Sequence, residues 1–221
     1  MRKIGTMAGR AKRTVGLKTR EAILEAARLL FLRQGYHATG MREIANDAGI
    51  SLSAVYNHFI SKEEILQEIL NERNLYRAMS EALSKARGDT VAELVDSGFR
   101  EIMGAAMGRE DFVLLMFMDA LEFQGKHVTL LAGQAIGSIV AFFERLAELG
   151  RREGELRNVN PVIMGRAFIG LVFSSFMIEN VLKVLAPNKV TLPLRVENWE
   201  KGIVDIFLHG VLRGVPPDEM G

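Results

Sequence analysis

The sequence contains no cysteine, only five prolines and a single tryptophan in 221 residues. Without cysteine there can be no disulfide, no thiolate nucleophile and no cysteine-ligated zinc or iron–sulfur site. This excludes a disulfide-rich secreted scaffold and fits a reducing compartment. Aromatic residues make up only 7% of the chain, while Ala, Leu, Glu, Arg and Met are abundant. This composition favours helices over sheets.

Long apolar runs are also scarce. The uncharged apolar stretch at residues 167–178 is short, whereas a transmembrane helix needs about 20 apolar residues. We therefore expect no membrane partner. With 48% hydrophobic and 25% charged residues, the chain has the composition of an ordinary globular protein of one or two domains.

The net charge of +1 hides an uneven distribution along the chain. Residues 1–62 hold 11 Lys and Arg against 4 Asp and Glu, a balance of +7, and the remaining residues balance at −6. Residues 1–18 are basic and show no clear period, so we expect a flexible arm there. A basic N-terminal part on an acidic body suggests a polyanionic partner for the first part.

Helical periodicity predicts an all-α fold of about nine helices. Apolar residues from Ile23 to Phe31 share one helix face, with Thr19 as N-cap and Gly35 at the C-terminal end. Later helices are expected near 62–86, 90–107, 110–123, 127–153, 161–186 and 194–213, and no segment shows the alternation of a strand.

Two short helices follow the first one and form a helix-turn-helix pattern. An apolar stripe runs from Met41 to Ala48, Gly49 breaks the helix, and Ser51 can cap a second helix through His58. Ser61 and Glu64 then have the spacing of a capping box at the start of a longer helix.

Such a motif binds DNA by placing its second helix in the major groove. Ser53 and Asn57 can donate hydrogen bonds to bases, and Leu52 or Ala54 can contact a thymine methyl group. Tyr56, His58 and Lys62 can reach phosphates. Arg42 faces either a phosphate or an acidic neighbour such as Glu43 or Asp47.

Residues 19–66 closely resemble the N-terminal domain of the TetR family of bacterial transcriptional regulators. The matching segments are Ile23–Ala27, Leu30-Phe31, Gly35-Tyr36, Ile44-Ala45, Ala48–Ser51, Tyr56–Phe59 and Ser61–Leu66. Two positions depart from the family pattern. Gly40 replaces a frequent Thr or Ser and can cap only through its backbone, and Leu52 replaces a common polar or basic residue.

The resemblance implies a DNA-binding domain over residues 19–66, a helical ligand-binding and dimerisation domain over 67–215, and a tail over 216–221. It implies a cytoplasmic homodimer that binds double-stranded, near-palindromic operator DNA, usually as a repressor that a small apolar or amphipathic effector releases. The DNA-binding residues are expected to be Gly40, Arg42, Ser51, Leu52, Ser53, Ala54, Tyr56, Asn57, His58 and Lys62.

The later helices contain strongly apolar stretches, for which the simplest interpretation is burial in a core. The family resemblance also implies a ligand pocket among them. Its candidate lining and polar residues are Met103, Met107, Met116, Phe117, Gln124, His127, Phe142, Phe143, Phe173, Ser174, Met177 and Asn180. The candidate dimer residues on the last two helices are Gly170, Ser174, Val204, Phe207, Leu208 and Val211, with burial inside one chain as the alternative.

An enzyme is not expected. The four histidines show no metal-ligand spacing, and the sequence has no phosphate loop, Rossmann fingerprint or Gly-x-Ser-x-Gly motif. We therefore expect no catalytic residues, metal or cofactor. Two alternatives stay open: a constitutive dimeric DNA binder without an effector, and a helical small-molecule carrier whose basic N-terminal part is incidental.

Overall fold

The computed structural model describes residues 4–154, 157, 159–178 and 199–212, and these residues form helices with no β-strand among them. The helices are α1 (Ile4–Gln34), α2 (Met41–Asp47), α3 (Leu52–Tyr56), α4 (Lys62–Glu72), α5 (Leu75–Lys85), α6 (Val91–Ala106), α7 (Glu110–Phe123), α8 (Lys126–Glu153), α9 (Pro161–Phe176) and α10 (Trp199–Val211). The all-α prediction is confirmed. The expected ends of the last two helices at 186, 194 and 213 and the tail 216–221 lie outside the described residues.

Helix α1 is longer than the sequence analysis predicts. It begins at Ile4 rather than after Thr19, so the expected flexible arm is helical from residue 4 and Thr19 lies inside the helix. The segment contains no proline, and most of its residues are compatible with a helix. An uninterrupted helix therefore runs from the basic segment into the first core-forming turns.

The chain divides into two compact units, of which the first comprises Met1–Arg73 and Asp111–Thr129. Its core is built by α1, α2, α3 and α4. The buried apolar side chains include Ile23, Ala27, Leu30, Phe31, Ile44, Ala45, Val55, Phe59, Ile65, Leu66, Ile69 and Leu70. At the far end of α1, the guanidinium of Arg28 bonds to the carboxylate of Asp111 at 3.0 Å, which ties the start of α7 to this unit.

The predicted helix over 62–86 is interrupted between α4 and α5. Arg73 ends α4, and the side chain of buried Asn74 accepts a hydrogen bond from the backbone N–H of Arg77 at 3.0 Å. An asparagine side chain that caps a helix start competes with helix continuation. The division between the two units falls at this break.

The second unit comprises Asn74–Glu110 and the chain from Leu130 onward. Its core centres on Phe168, whose ring centroid lies 5.2 Å from that of Phe207 and 5.7 Å from that of Phe143. Phe99 lies 6.5 Å from Phe168 and 6.1 Å from Trp199. Aromatic rings at these distances pack edge to face and bury large apolar areas.

Helix α6 approaches this aromatic cluster closely at Gly98. A Cβ atom added there would lie 2.7 Å from the Cζ of Phe142, which is too close for unstrained packing. Gly98 is buried, whereas Gly104 on the same helix is exposed with nothing within 4 Å of an added Cβ. The absence of a side chain at Gly98 therefore lets the Phe142 ring pack directly on the helix backbone.

Helix α8 is long and apolar enough to cross a membrane when only length and composition are considered. Its most apolar 18-residue window has a mean hydropathy of 1.4, and 33% of that window is buried. Core helices of globular proteins meet the same criterion. The buried face of α8 in the second unit includes Leu131, Phe142, Phe143 and Leu146.

Candidate nucleic-acid interface

Helices α2 and α3 and the turn between them form the predicted helix-turn-helix. Gly40 caps α2 with extended backbone angles and without a side-chain bond, and its carbonyl accepts the N–H of Ile44 at 3.0 Å. Gly49 adopts φ +67 in the turn, a conformation that glycine adopts without the steric cost of a side chain. Ser51 then caps α3, its Oγ accepting the N–H of Ala54 at 3.2 Å.

Helix α3 has a buried side and an exposed side. Val55 is fully buried, which fixes the helix on the core of the first unit. Ser51, Ser53, Tyr56 and Asn57 are exposed, with Tyr56 half exposed at 50%. The other candidates on or beside this helix, Leu52, Ala54 and His58, are partly exposed. The structure therefore brings the predicted base-reading residues together on and around one short helix.

Arg42 is exposed on α2, and the acidic residues that could have paired with it are engaged elsewhere. Glu43 accepts a hydrogen bond from the side chain of Gln34 at 2.9 Å, and Asp47 lies 3.9 Å from Arg33. Among the residues that the structure describes, Arg42 has no ion-pair partner. This favours the phosphate-facing alternative for Arg42.

The ammonium of Lys62 is held inside the unit. Its Nζ donates to the backbone carbonyls of Tyr36 at 2.5 Å and Thr39 at 2.7 Å, and lies 4.1 Å from the centre of the Tyr36 ring. Burial lowers the pKa of Lys62 and raises the pKa of Tyr36. Lys62 thus connects the loop between α1 and α2 to the start of α4. This structural role was not predicted from the sequence.

The capping box at the start of α4 is present. The Ser61 Oγ accepts the N–H of Glu64 at 3.1 Å, and the Glu64 carboxylate accepts the N–H of Ile60 at 2.7 Å. Such reciprocal bonds satisfy N–H groups that the first turn of a helix leaves unpaired. The start of α4, and with it the position of Lys62, is therefore well defined.

A polar cluster links α4 to the corner between α7 and α8 within the first unit. The Nδ1 of buried His127 donates to the Asp119 carboxylate at 2.6 Å, and its Nε2 lies 3.3 Å from Glu63. Lys126 donates to Glu63 at 2.9 Å, and this bond is the main cause of the lowered pKa of Glu63. Asp119 also accepts the N–H of Val128 at 3.0 Å.

This cluster was not predicted from the sequence, in which His127 was a candidate pocket residue. The structure places His127 against Asp119 and Glu63. Glu63 and Lys126 are 63 positions apart in sequence, so no local pattern could pair them. The one available signal was the concentration of ionisable residues at 122–127, which the sequence analysis interpreted as a helix end and a loop.

The predicted pocket residues are divided between the two units. Met116, Phe117, Gln124 and His127 belong to the first unit, and the other described ones belong to the second. Met107 is exposed at 68%, while Met103, Phe142 and Phe143 lie in the second unit's core. Ser174 is exposed and Met177 partly exposed. Asn180 lies outside the described residues.

Two of the predicted pocket residues line an apolar groove of about 670 Å³ between α8 and α9. Phe143 forms part of its inner wall and Phe173 part of its exposed edge, and Gly165 and Gly170 also line it. Glu144 and Arg166 supply the charged groups of the groove, whose other lining residues are Ile139, Val140, Pro161, Val162 and Ile169.

The predicted dimer residues fall into two groups. Val204, Phe207 and Val211 are buried in the second unit of a single chain, as the alternative interpretation allowed, so their side chains do not form a free surface. Gly170 and Ser174 are exposed and Leu208 is partly exposed. Helical spacing alone could not reveal which side of α10 faces its own core. The exposed apolar residue of α10 is Ile206, at 62%.

Within the described residues, no group of three or more histidine or acidic side chains could hold a metal ion. The exposed face of α3 with its flanking residues is the best-defined candidate site. Its exposed side chains can form hydrogen bonds, and its buried side packs on the core of the unit. This arrangement suits recognition of base edges.

Comparison with known proteins points to one family. A sequence model of bacterial regulatory proteins of the tetR family matches residues 23–69. The transcriptional regulator AcrR of Shigella flexneri is 38% identical to the chain over 197 residues, covering 86% of this chain and 90% of AcrR.

Solved structures agree with this fold. The TetR-family regulator PfmR of Thermus thermophilus superposes with a TM-score of 0.61 at 27% identity, covering 87% of this chain and 96% of PfmR. NalD, described as the secondary repressor of the MexAB-OprM multidrug efflux pump in Pseudomonas aeruginosa, gives a TM-score of 0.62 at 23% identity, covering 90% of this chain and all of NalD. The likeness to NalD shows the fold alone.

Proposed function

Because the chain belongs to the tetR family of bacterial transcriptional regulators, we propose that it is a homodimeric repressor released from operator DNA by a small apolar or amphipathic effector. The DNA-binding part of this proposal is supported chiefly by the exposed face of α3. Fully buried Val55 packs this helix on the core of the first unit. The relatives are named as transcriptional regulators rather than enzymes, and such a regulator works in the cytoplasm.

Base recognition is assigned to residues at the start of α3 and just after its end. Asn57 presents both a donor and an acceptor, the pair of groups that adenine matches in the major groove. Ser51 and Ser53 supply hydroxyl groups, which lie 3.0 Å apart within hydrogen-bond distance of each other. Leu52 and Ala54 supply apolar contacts to thymine methyl groups.

Phosphate contacts are assigned to residues around this helix. Tyr56 presents its hydroxyl from a half-exposed ring, and Arg42 is exposed without an ion-pair partner among the described residues. Gly40 lets the backbone approach closely, since its surroundings are open. His58 and the remaining donor of Lys62 complete the set. These contacts position the protein, and the base contacts specify the sequence.

A two-fold dimer would present two copies of α3 to successive major grooves, about 34–36 Å apart, and would bind a near-palindromic site. Exposed Ile163 on α9 and Ile206 on α10, at 60% and 62%, support a partner surface there. Exposed Gly170 and Ser174 would allow close helix approach. Leu208 on α10 is partly exposed.

The groove between α8 and α9 supports an effector of apolar or amphipathic character. Its volume of about 670 Å³ lies within the range of small-molecule sites. Apolar walls from Phe143, Ile169 and Phe173 suit an apolar body, and Arg166 can pair with an anionic group. If α8 and α9 serve only folding and assembly, the chain is instead a constitutive DNA binder.

The deciding experiment is a fluorescence-anisotropy titration of the full chain against DNA upstream of its own gene, with excess non-specific competitor. Saturable binding that survives the competitor supports the regulator. A panel of small apolar molecules is then tested for release of the DNA and for thermal stabilisation. No release and no stabilisation by any compound would favour the constitutive binder, and tight ligand binding without specific DNA binding would favour a carrier.

A further inference from the structure

Two arginines of the second unit converge on one carbonyl group at the end of α5. Arg145, on α8, donates to the carbonyl of Ala86 at 2.6 Å. Arg87 donates to the same oxygen at 2.9 Å and to the carbonyl of Ser84 at 2.7 Å. The two donor nitrogens on Ala86 can therefore be no farther apart than these two distances together, 5.5 Å. We call Arg87 and Arg145 the arginine pair.

The positive charges of the arginine pair are not neutralised within the part of the chain that the structure describes. The side-chain hydrogen bonds of both residues go to main-chain carbonyls, and neither guanidinium forms an ion pair with a described carboxylate. The pKa of Arg145 is lowered, first by burial and then by the positive charge of Arg87. A neighbouring carboxylate would act in the opposite direction. Two like charges thus lie close together without a counter-charge.

Capping of α5 explains only part of this arrangement. An arginine near the C-terminus of a helix can bond to the last carbonyls and is favoured by the helix dipole. One guanidinium is enough to give the Ala86 carbonyl a partner, whereas the second adds repulsion between like charges. An anion bound to both guanidiniums would remove this repulsion.

Both arginines are held by packing and remain accessible. The backbone N–H of Arg87 donates to the Ser97 hydroxyl at 3.0 Å, and a Cβ added to neighbouring Gly88 would collide with the backbone of α6. The guanidinium of Arg145 lies 5.9 Å from the centre of the buried Phe142 ring. Both arginines are exposed. The structure therefore presents two positioned cations to solvent.

We propose that the arginine pair binds a small dianion of the phosphate monoester class. A phosphate monoester carries close to two negative charges at neutral pH and has three acceptor oxygens. A guanidinium has five N–H donors, so bonds to main-chain carbonyls leave donors for two parallel bonds to phosphate. Neither arginine lines the groove between α8 and α9. The inference goes beyond the proposed function and does not depend on it.

A phosphodiester, as in a nucleic-acid backbone or a lipid headgroup, contains the same chemical group with a single negative charge. The two unneutralised charges of the arginine pair favour the dianion, because each guanidinium then has a full counter-charge. Methyl phosphate and dimethyl phosphate differ by this one charge. They are therefore the probes that separate a free monoester from a diester.

The test measures the melting temperature of the full chain at about pH 8, where methyl phosphate is mostly a dianion. Sodium chloride keeps the ionic strength constant. A ligand that binds the folded state raises the melting temperature with its concentration. Arg87→Gln/Arg145→Gln removes the arginine pair. The matched control is Arg151→Gln/Arg152→Gln, which removes the same charge from the same unit at arginines that Glu148 already neutralises, at 2.6 Å and 3.1 Å.

Methyl phosphate should raise the melting temperature of the unmodified chain and of Arg151→Gln/Arg152→Gln alike, and Arg87→Gln/Arg145→Gln should lose this rise. An unmodified chain that does not respond overturns the proposal. Equal rises in both double variants also overturn it, because phosphate stabilises proteins in general through exclusion from their surface.

Dimethyl phosphate should need about a tenfold higher concentration for the same rise, since it lacks one charge. Equal effects of the two probes would overturn the dianion and assign the pair to a phosphodiester.

The single variant Arg87→Gln decides the matter if the double variant does not fold, because Arg145 still bonds to the Ala86 carbonyl in it. Circular dichroism checks that its helix content is kept. It should lose most of the rise with methyl phosphate, and a full rise would overturn the proposal. Since no DNA is present, these outcomes leave the proposed function untouched.

Discussion

The imidazole of His127 donates a hydrogen bond of 2.6 Å to the carboxylate of Asp119, and both side chains are almost completely buried within the first unit. Because the same ring faces Glu63 of α4, this pair joins the corner of α7 and α8 to the helix that follows the helix-turn-helix. A buried pair of this kind is costly to break, since the remaining partner loses its compensation.

The first prediction concerns this pair. His127→Ala should lower the free energy of unfolding by about 3–5 kcal/mol, because buried Asp119 loses its side-chain partner and keeps only the backbone N–H of Val128. Thermal or urea denaturation measures the change. His37→Ala is the matched control, since His37 also faces a carboxylate, that of Glu122, but is 83% exposed. Equal effects of the two variants would contradict the importance of burial.

The second prediction concerns the contact of α6 with the aromatic cluster. Gly98→Ala should destabilise the chain by about 1–3 kcal/mol, because its Cβ would force the Phe142 ring to move. Gly104→Ala on the same helix has open space and should stabilise by about 0.5–1 kcal/mol through helix propensity. Denaturant titrations compare the two, and a stabilising Gly98→Ala would refute the close packing.

The third prediction separates two kinds of phosphate-facing residue. Lys62→Ala should lower both the melting temperature and the DNA affinity, since Lys62 also holds the carbonyls of Tyr36 and Thr39. Tyr56→Phe removes only an exposed hydroxyl and should weaken DNA binding on all sequences without changing the melting temperature. A lowered melting temperature in Tyr56→Phe would show that its hydroxyl has a structural role.

The fourth prediction concerns specificity. Asn57→Ala should cost about 1–3 kcal/mol of discrimination at one base position and relax the preference there. Binding selections on randomised duplexes, compared with those of the unmodified chain, measure the change. A uniform loss of affinity with an unchanged preferred sequence would instead place Asn57 on the phosphate backbone.

The fifth prediction concerns pH. The pKa of Glu63 lies below its ordinary value of 4.5, chiefly because Lys126 donates a hydrogen bond to it. A lowered carboxyl pKa in the folded state stabilises the fold above the unfolded pKa, and this contribution is lost as pH falls through the folded value. Both Glu63→Gln and Lys126→Gln should therefore flatten the loss of stability below about pH 4.5 in urea titrations. A slope as steep as that of the unmodified chain would contradict this.

The helix-turn-helix could be predicted because its signals are local. The Gly49 turn, the Ser51 cap and the capping box at Ser61 each depend on residues within a few positions of one another. The break at Asn74 also had a local signal, the capping preference of asparagine, but the surrounding apolar periodicity concealed it.

Other features depend on contacts between distant residues. Arg28 and Asp111 are 83 positions apart, so the association of residues 111–129 with the first unit has no local signature. For α10, the period identified an apolar face correctly, but it could not distinguish burial against Phe168 from contact with a second chain. The proposed roles of the α3 residues and of the groove stay predictions.

The position of Trp199 has a spectroscopic consequence. It is the only tryptophan of the chain, and it lies 6.1 Å from Phe99 in the second unit. Its fluorescence therefore reports the unfolding of that unit alone, whereas far-ultraviolet circular dichroism reports the helices of both units. Coinciding transitions from the two signals would show that the units melt cooperatively, and separated transitions would give each unit its own stability.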